Sequence, residues 1–173
     1  RNIEGCNTGV ITGPAYNEST TNSSYSVFSD VTNGGVASDV CGIVSVTYKD
    51  SKSGTCPIVV SRIWTVTDAC QNSTACVQTR NVDDTQKPVI TTCPQTRNIE
   101  GCNTGAITGP AYNESTTNST YSVFSNATNG GAANDACGIV SVTYKDSKSG
   151  TCPIVVSRTW TVTDACQNST ACV

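Results

Sequence analysis

The 173 residues contain no histidine, no methionine and no leucine. Without imidazole there can be no Ser-His-Asp or Cys-His nucleophile pair and no histidine metal ligand, which excludes the commonest catalytic arrangements. Leucine is ordinarily among the most used residues and a leading helix former. Here 20 Val and 10 Ile carry the aliphatic content, and 27 Thr with 20 Ser make up much of the rest, a composition suited to strands. Charge is also scarce: 10 basic against 13 acidic residues give a net charge of −3 and a pI near 4.7, without the basic footprint that a nucleic-acid partner needs. No apolar run reaches 18 residues, so nothing in the sequence reads as a membrane-spanning helix. No basic segment followed by an apolar stretch opens it, so any secretion signal is expected outside these residues. Ser51-Lys52 falls in a predicted turn with nothing to depress the lysine, and it reads as solvated turn chemistry. We expect an all-β protein that is not an enzyme.

What the sequence has is repetition. The segment RNIEGC at 1–6 recurs at 97–102, an offset of 96, and the match runs to the last residue. Of the 77 aligned pairs, eight differ: Val10/Ala106, Ser24/Thr120, Asp30/Asn126, Val31/Ala127, Val36/Ala132, Ser38/Asn134, Val40/Ala136 and Ile63/Thr159. A period this long is close to the size of a β-sandwich with its own core, so each repeat is expected to be a domain. The polar stretch DDTQKP at 83–88 ends in a proline that holds Lys87 extended, and marks the boundary. The expected domains are 1–86, lacking a first strand upstream, and 87–173, lacking the end of its last strand. A linker this short predicts a semi-rigid rod.

Period-two alternation is clearest over 43–49, with Val44, Val46 and Tyr48 on one face. Residues 57–68 place Ile58, Val60, Trp64 and Val66 on one parity, and the Ile63/Thr159 difference marks the other as the solvent face. Residues 75–83 read as the last strand of a hairpin turned at 71–73. Weaker strand candidates are 88–92, 96–100, 10–16 and 25–28, with Asn33-Gly34-Gly35 as a tight turn. About seven short strands point to tandem immunoglobulin-like β-sandwich domains.

The 11 cysteines resolve into six per cycle, leaving Cys76 to a partner upstream. Six cysteines allow fifteen pairings and sequence alone does not choose. The strand after Cys137 runs away from it and the strand ending at Cys166 returns, which puts those two at one end with Cys172, and Cys152 at the other. If the first strand runs parallel to the last, Cys93 joins Cys172 and Cys102 is left near Cys152. The expected set is Cys93–Cys172, Cys137–Cys166 and Cys102–Cys152, repeated as Cys41–Cys70 and Cys6–Cys56. No C-x2-C and no histidine favours a metal site, so we read a disulfide framework and an extracellular or cell-surface location.

Several motifs together, CP at 93–94, WTVTDACQNSTAC at 160–172 and TRNVDDTQKPVI at 79–90, resemble the hyalin-repeat (HYR-like) modules strung along large bacterial surface proteins, including gliding-type adhesins. The resemblance covers essentially the whole cycle and is specific in the hairpin and linker. It implies an immunoglobulin-like sandwich, a pairing of the Cys93 and Cys172 kind, a role as spacer or adhesion module, and no catalytic residues. Two departures stand out. Gln71 and Gln167 occupy places where the family usually has glycine. Arg80 and Arg97, in near-identical TRNV and TRNI segments, stand where it alternates apolar residues, and are expected at the surface, covering a Trp or Tyr rim with their stems or lining a contact.

N-x-[ST] sequons at Asn17, Asn22, Asn72, Asn113, Asn118, Asn126 and Asn168 are candidate glycosylation sites. Asp83 and Asp84 are candidate calcium ligands, though no acidic cluster completes a shell, and no other cofactor is expected. The functional expectation is a non-enzymatic structural repeat of a large extracellular adhesin or surface fibre, a disulfide-stapled spacer whose partners are neighbouring repeats or other copies in a fibre. Alternatives are a filament subunit polymerised by strand exchange and a carbohydrate-binding module using Tyr16, Tyr25 and Phe28.

Overall fold

The computed structural model describes all 173 residues as two compact units, Arg1–Asp84 and Thr85–Val173, a division two residues ahead of the expected one. The protein is all-β apart from single helical turns. The first unit contains β1 (Asn2–Glu4), β2 (Thr21–Ser23), the turn α1 (Tyr25–Phe28), β3 (Ile43–Ser53), β4 (Ile58–Asp68) and β5 (Ser73–Asp83). Its sheet has the order β1-β5-β4-β3-β2, with β1 parallel to β5 and the other neighbours antiparallel. The second unit contains β6 (Val89–Thr92), β7 (Thr117–Ser119), α2 (Tyr121–Phe124), β8 (Ala132–Asn134), β9 (Ile139–Ser149), β10 (Val155–Asp164) and β11 (Ser169–Cys172). Here the sheet is β11-β10-β9-β7, and β6 pairs with β8 apart from it.

Three expected strands are absent. Residues 25–28 form a helical turn because the Ser24 hydroxyl accepts from the Val27 N–H at 3.2 Å, and a capped N-terminus outweighs the β tendency of so short a run. Residues 10–16 leave a 3-10 turn, Thr8–Val10, and continue without strand structure. Residues 96–100 are irregular, although their counterpart β1 is a strand. One parity also needs correcting. A bulge between Ile43 and Ser45 sets two residues of β3 against one of β4, which flips the side chains. Val44 is therefore exposed while Ile43 packs on the core.

The core follows from the remaining alternation. Phe28, Val46, Tyr48, Trp64 and Val66 cluster in the first unit, and Phe124, Val142, Tyr144, Trp160 and Val162 in the second. The Trp64 ring lies 5.5 Å from both the Phe28 and the Tyr48 rings. A Cβ at Gly35 would come within 2.3 Å of the Phe28 ring, so only glycine lets the 33–35 turn close over it.

Two opposite charges share this apolar face. Arg62 and Asp50 follow the parities of Trp64 and Tyr48 and are fully or almost fully buried. The Arg62 guanidinium donates to Asp50 through Nε and Nη2, each at 2.7 Å, and to the carbonyls of Pro14 and Ala15 at 3.0 Å. Asp50 also accepts from the Asn17 N–H at 2.9 Å, and the Arg62 guanidinium sits 4.4 Å over the Tyr48 ring. The pair thus fastens the irregular 14–17 segment onto the sheet, and Arg158 with Asp146 does the same in the second unit. Cutting one member of such a pair leaves a buried charge unmet, which costs about 3–5 kcal/mol. Arg62→Ala is expected to destabilise the first unit by about that much in urea denaturation, and Arg62→Ala with Asp50→Ala to cost less than the two single changes combined.

Candidate functional site

Arg80, expected at the surface, is fully buried. Its strand β5 lies antiparallel to β4 over its whole length, pairing Gln78 with Arg62 and Val82 with Ile58. Alternation turns Gln78, Arg80 and Val82 to one side. The Arg80 guanidinium donates to the Thr12 carbonyl at 3.0 Å, the Gly13 carbonyl at 3.3 Å, Gln78 Oε1 and Asn33 Oδ1. Asn33 is held in turn by donating from Nδ2 to the carbonyls of Gly13, 2.9 Å, and Val27, 2.6 Å. Gln78 accepts from the Trp64 indole N–H at 3.2 Å. Val82 completes a cluster with Ile11 and Val60. Burial, with Arg62 and Arg1 nearby, lowers the Arg80 pKa to about 10, so the guanidinium stays charged at neutral pH.

The same three features in the second unit border an open cleft of about 720 Å³, lined among others by Arg97, Ile107, Asn129, Val156 and Trp160. β11 pairs with β10 only along Trp160–Thr163, and beside residues 155–159 no strand lies on the side away from β9. Asn129 is 4 % exposed and donates to the carbonyls of Gly109 and Val123 as Asn33 does to theirs. Its Oδ1, however, receives no hydrogen bond. The Trp160 indole N–H, counterpart of the Trp64 donor, has no acceptor. Ile107 and Val156 are half-buried, whereas Ile11 and Val60 are at most 2 % exposed. Arg97, expected like Arg80 at the surface, is half-buried on the cleft wall and donates from Nη2 to the Thr108 carbonyl at 3.3 Å. That carbonyl is the counterpart of the one Arg80 uses.

The cysteines follow the expected pairing at Cys93–Cys172 and depart from it at two other bonds. Cys93 and Cys172 are bonded, tying the segment after β6 to the end of β11 across 79 residues. Cys41, Cys70, Cys76, Cys102 and Cys152 are free thiols, all exposed, so the expected Cys41–Cys70 and Cys102–Cys152 bonds are not formed. Cys6, Cys56, Cys137 and Cys166 are disulfide-bonded. Each of these four positions is therefore oxidised in one repeat and a thiol in the other.

The remaining candidates fall out as follows. Asp83 lies in β5, where its carbonyl accepts from the Gly5 N–H at 2.9 Å, and Asp84 follows it, buried. Consecutive extended residues project to opposite sides, so the two carboxylates do not make one cation shell. Phe28 and Phe124 are core residues, which leaves no aromatic row at the surface. Tyr16 and Tyr112 donate to Glu18 and Glu114 at 2.6 and 2.5 Å, and desolvation with those bonds pushes both phenols up to about 12. Gln71 and Gln167 adopt φ of 69°, so the hairpin turn keeps the left-handed conformation that glycine takes most readily.

Among the sequons, Asn22 and Asn118 are exposed on β2 and β7 with their side chains unengaged. Asn72 and Asn168 spend their Nδ2 atoms on Asp68 and Asp164 at 2.9 Å. Asn17, Asn113 and Asn126 cap the backbone two residues on. Comparison with protein-family models, with curated proteins and with solved structures found no match to this chain.

Two outcomes are expected. Secreted from a host that attaches N-linked sugars, the chain should carry them at Asn22 and Asn118 and not at Asn72 or Asn168, as glycopeptide mass spectrometry will read. The second concerns acid. Asp68 is held below the ordinary carboxylate range by the Asn72 side chain and the N–H groups of Asn72 and Cys70. A carboxyl lowered in the folded state stabilises above its unfolded pKa, near 4, and loses that contribution as pH falls through the lower folded value. The Asn72 and Cys70 amides should therefore lose hydrogen-exchange protection below pH 4, and Asp68→Asn should flatten that dependence. Unchanged protection down to pH 2 would sink the assignment.

Proposed function

We propose that this protein is a non-enzymatic structural repeat of an extracellular adhesin or surface fibre, its units being immunoglobulin-like modules of the hyalin-repeat kind that act as spacers. One observation carries the reading: two units nearly identical in sequence each enclose their own aromatic core behind their own Arg–Asp pair. Units of this kind lengthen an array without any new interface being devised. The substitutions between copies support it, since Val31, Val36 and Val40 are at least 89 % exposed and vary where packing does not constrain them. The Cys93–Cys172 bond and the number of cysteines belong to an oxidising compartment, and a bridge closing a loop of that size contributes about 4–5 kcal/mol in the chain-entropy account.

Chains of two, four and six such units, imaged by electron microscopy, are expected to lengthen linearly by roughly 30–40 Å per unit, from long strands of 10 or 11 residues at ~3.3 Å each. Particles whose length does not grow with unit number would end the spacer reading. Carbohydrate binding by the module draws no support from the buried Phe28 and Phe124.

A further inference from the structure

The sheet of the first unit is covered on one side only. Its inward parities carry the core and the two arginines. Five outward positions on each of β3, β4 and β5 face away from that core: Ser45 to Ser53, Val59 to Thr67 and Ser73 to Asn81, taken in steps of two. None of these fifteen side chains is buried, and Lys49 is the one charge among them. The rest are Ser, Thr, Ala and Asn with three aliphatics, Val59, Ile63 and Val77, which are 36, 43 and 64 % exposed. The register sets Lys49, Ile63 and Val77 side by side across the three strands, at the centre of the face. Charge returns at the rim, where Glu4 of β1 lies beside Asp83 of β5. An apolar, charge-poor centre inside a polar margin is the composition of an interface core. The corresponding face of β9 and β10 in the second unit is likewise unburied, so the exposure belongs to the module.

We propose that this face is the seat of a second copy of this chain, the two sheets packing face to face about a two-fold axis that runs along β4. Three strands of 11 residues each, at ~3.3 Å per residue and ~4.8 Å between strands, offer about 500 Å². A pair of such faces buries on the order of 1,000 Å², the lower bound of a specific interface, so the dimer is weak and reversible. Most of the fifteen side chains are small, which lets the sheets reach the ~10 Å spacing of stacked sheets.

Charge selects the axis. A two-fold along the strands turns β3 of one copy over β5 of the other, so Ile63 meets its own copy and Lys49 lies over Val77 of the other chain. There the lysine stem covers the valine while its ammonium reaches the wet margin. A two-fold across the strands would set Lys49 on Lys49, like charge on like, at a cost. The second repeat supplies a comparison within the same molecule. Thr159, paired with Lys145, stands where Ile63 does, so that unit lacks the apolar centre and the pairing belongs to the first. This goes beyond the spacer reading, since it joins chains side by side where the spacer reading concerns only their length.

The test is sedimentation velocity of the intact 173-residue chain from about 10 μM to about 1 mM, the range that reads weak association. The chain is made without N-linked sugars, because Asn22 lies beside Thr47 on the same face. The expected result is a reversible monomer–dimer equilibrium. Ile63→Thr should weaken it about 10-fold or more, since one isoleucine leaves each side of the contact. Val31→Ala removes an exposed aliphatic from the turn after α1, away from the face, and should leave the equilibrium unchanged. Both substitutions are residues that the second repeat carries at those places, so the fold accepts them. Val77→Glu should associate about 10-fold or more tightly than Val77→Lys, because each meets Lys49 of the other copy. A monomer at every concentration, an unchanged dimer in Ile63→Thr, an equal loss in Val31→Ala, or no difference between the two Val77 variants each overturns the proposal. Length per unit in electron micrographs is independent of all four, so the spacer reading stands or falls separately.

Discussion

A guanidinium facing a buried carboxylate organises each unit, the guanidinium fully buried in the first and largely so in the second. Arg62 with Asp50, and Arg158 with Asp146, are placed where an apolar pair would pack as well. What the ion pair adds is direction. A carboxylate with two oxygens and a guanidinium with five N–H donors must all be met once water is excluded, and the groups that meet them are the carbonyls of Pro14 and Ala15 and the amide of Asn17. A stretch of chain with no regular structure of its own is thereby fixed over the sheet. The aromatic cluster seals it, with Tyr48 under the guanidinium and its hydroxyl on the Ala15 carbonyl at 3.0 Å. Apolar contacts alone would tolerate many arrangements of residues 11–17. The pair permits one.

The second buried arginine extends this logic along the sheet. Arg80 reads Thr12, Gly13 and Asn33, one turn of chain away from the carbonyls that Arg62 reads. Two guanidiniums in succession therefore hold the 12–15 segment, each from a different strand. In the second unit Asn129 and Arg158 hold the carbonyls of Gly109, Pro110 and Ala111 in the same way.

Much of this was legible in advance. The 96-residue period, the two units, the ladder of β3, β4 and β5 and the burial of Trp64, Tyr48 and Val60 followed from alternation, which is a property of the strand backbone itself. The buried arginines are legible in the same alternation. Arg62 shares the parity of Val60 and Trp64, and Asp50 that of Tyr48, so opposite charges on the apolar parity of adjacent strands were already a signal. Arg80 shares the parity of Val82, which marks it as inward-facing despite its charge. Residues 25–28 and Val44 depart from the alternation because a cap and a bulge are single-residue events that interrupt a period without changing composition.

The sequence by itself determined the all-β class, the repeat and the faces of the long strands, since each depends on spacing along the chain and is felt within a few residues. The tertiary structure alone decided that Cys41, Cys70, Cys102 and Cys152 are free thiols, and that Arg62 and Arg80 bind the carbonyls of residues 12–15. Those outcomes depend on segments distant along the chain coming together, which a local pattern does not encode.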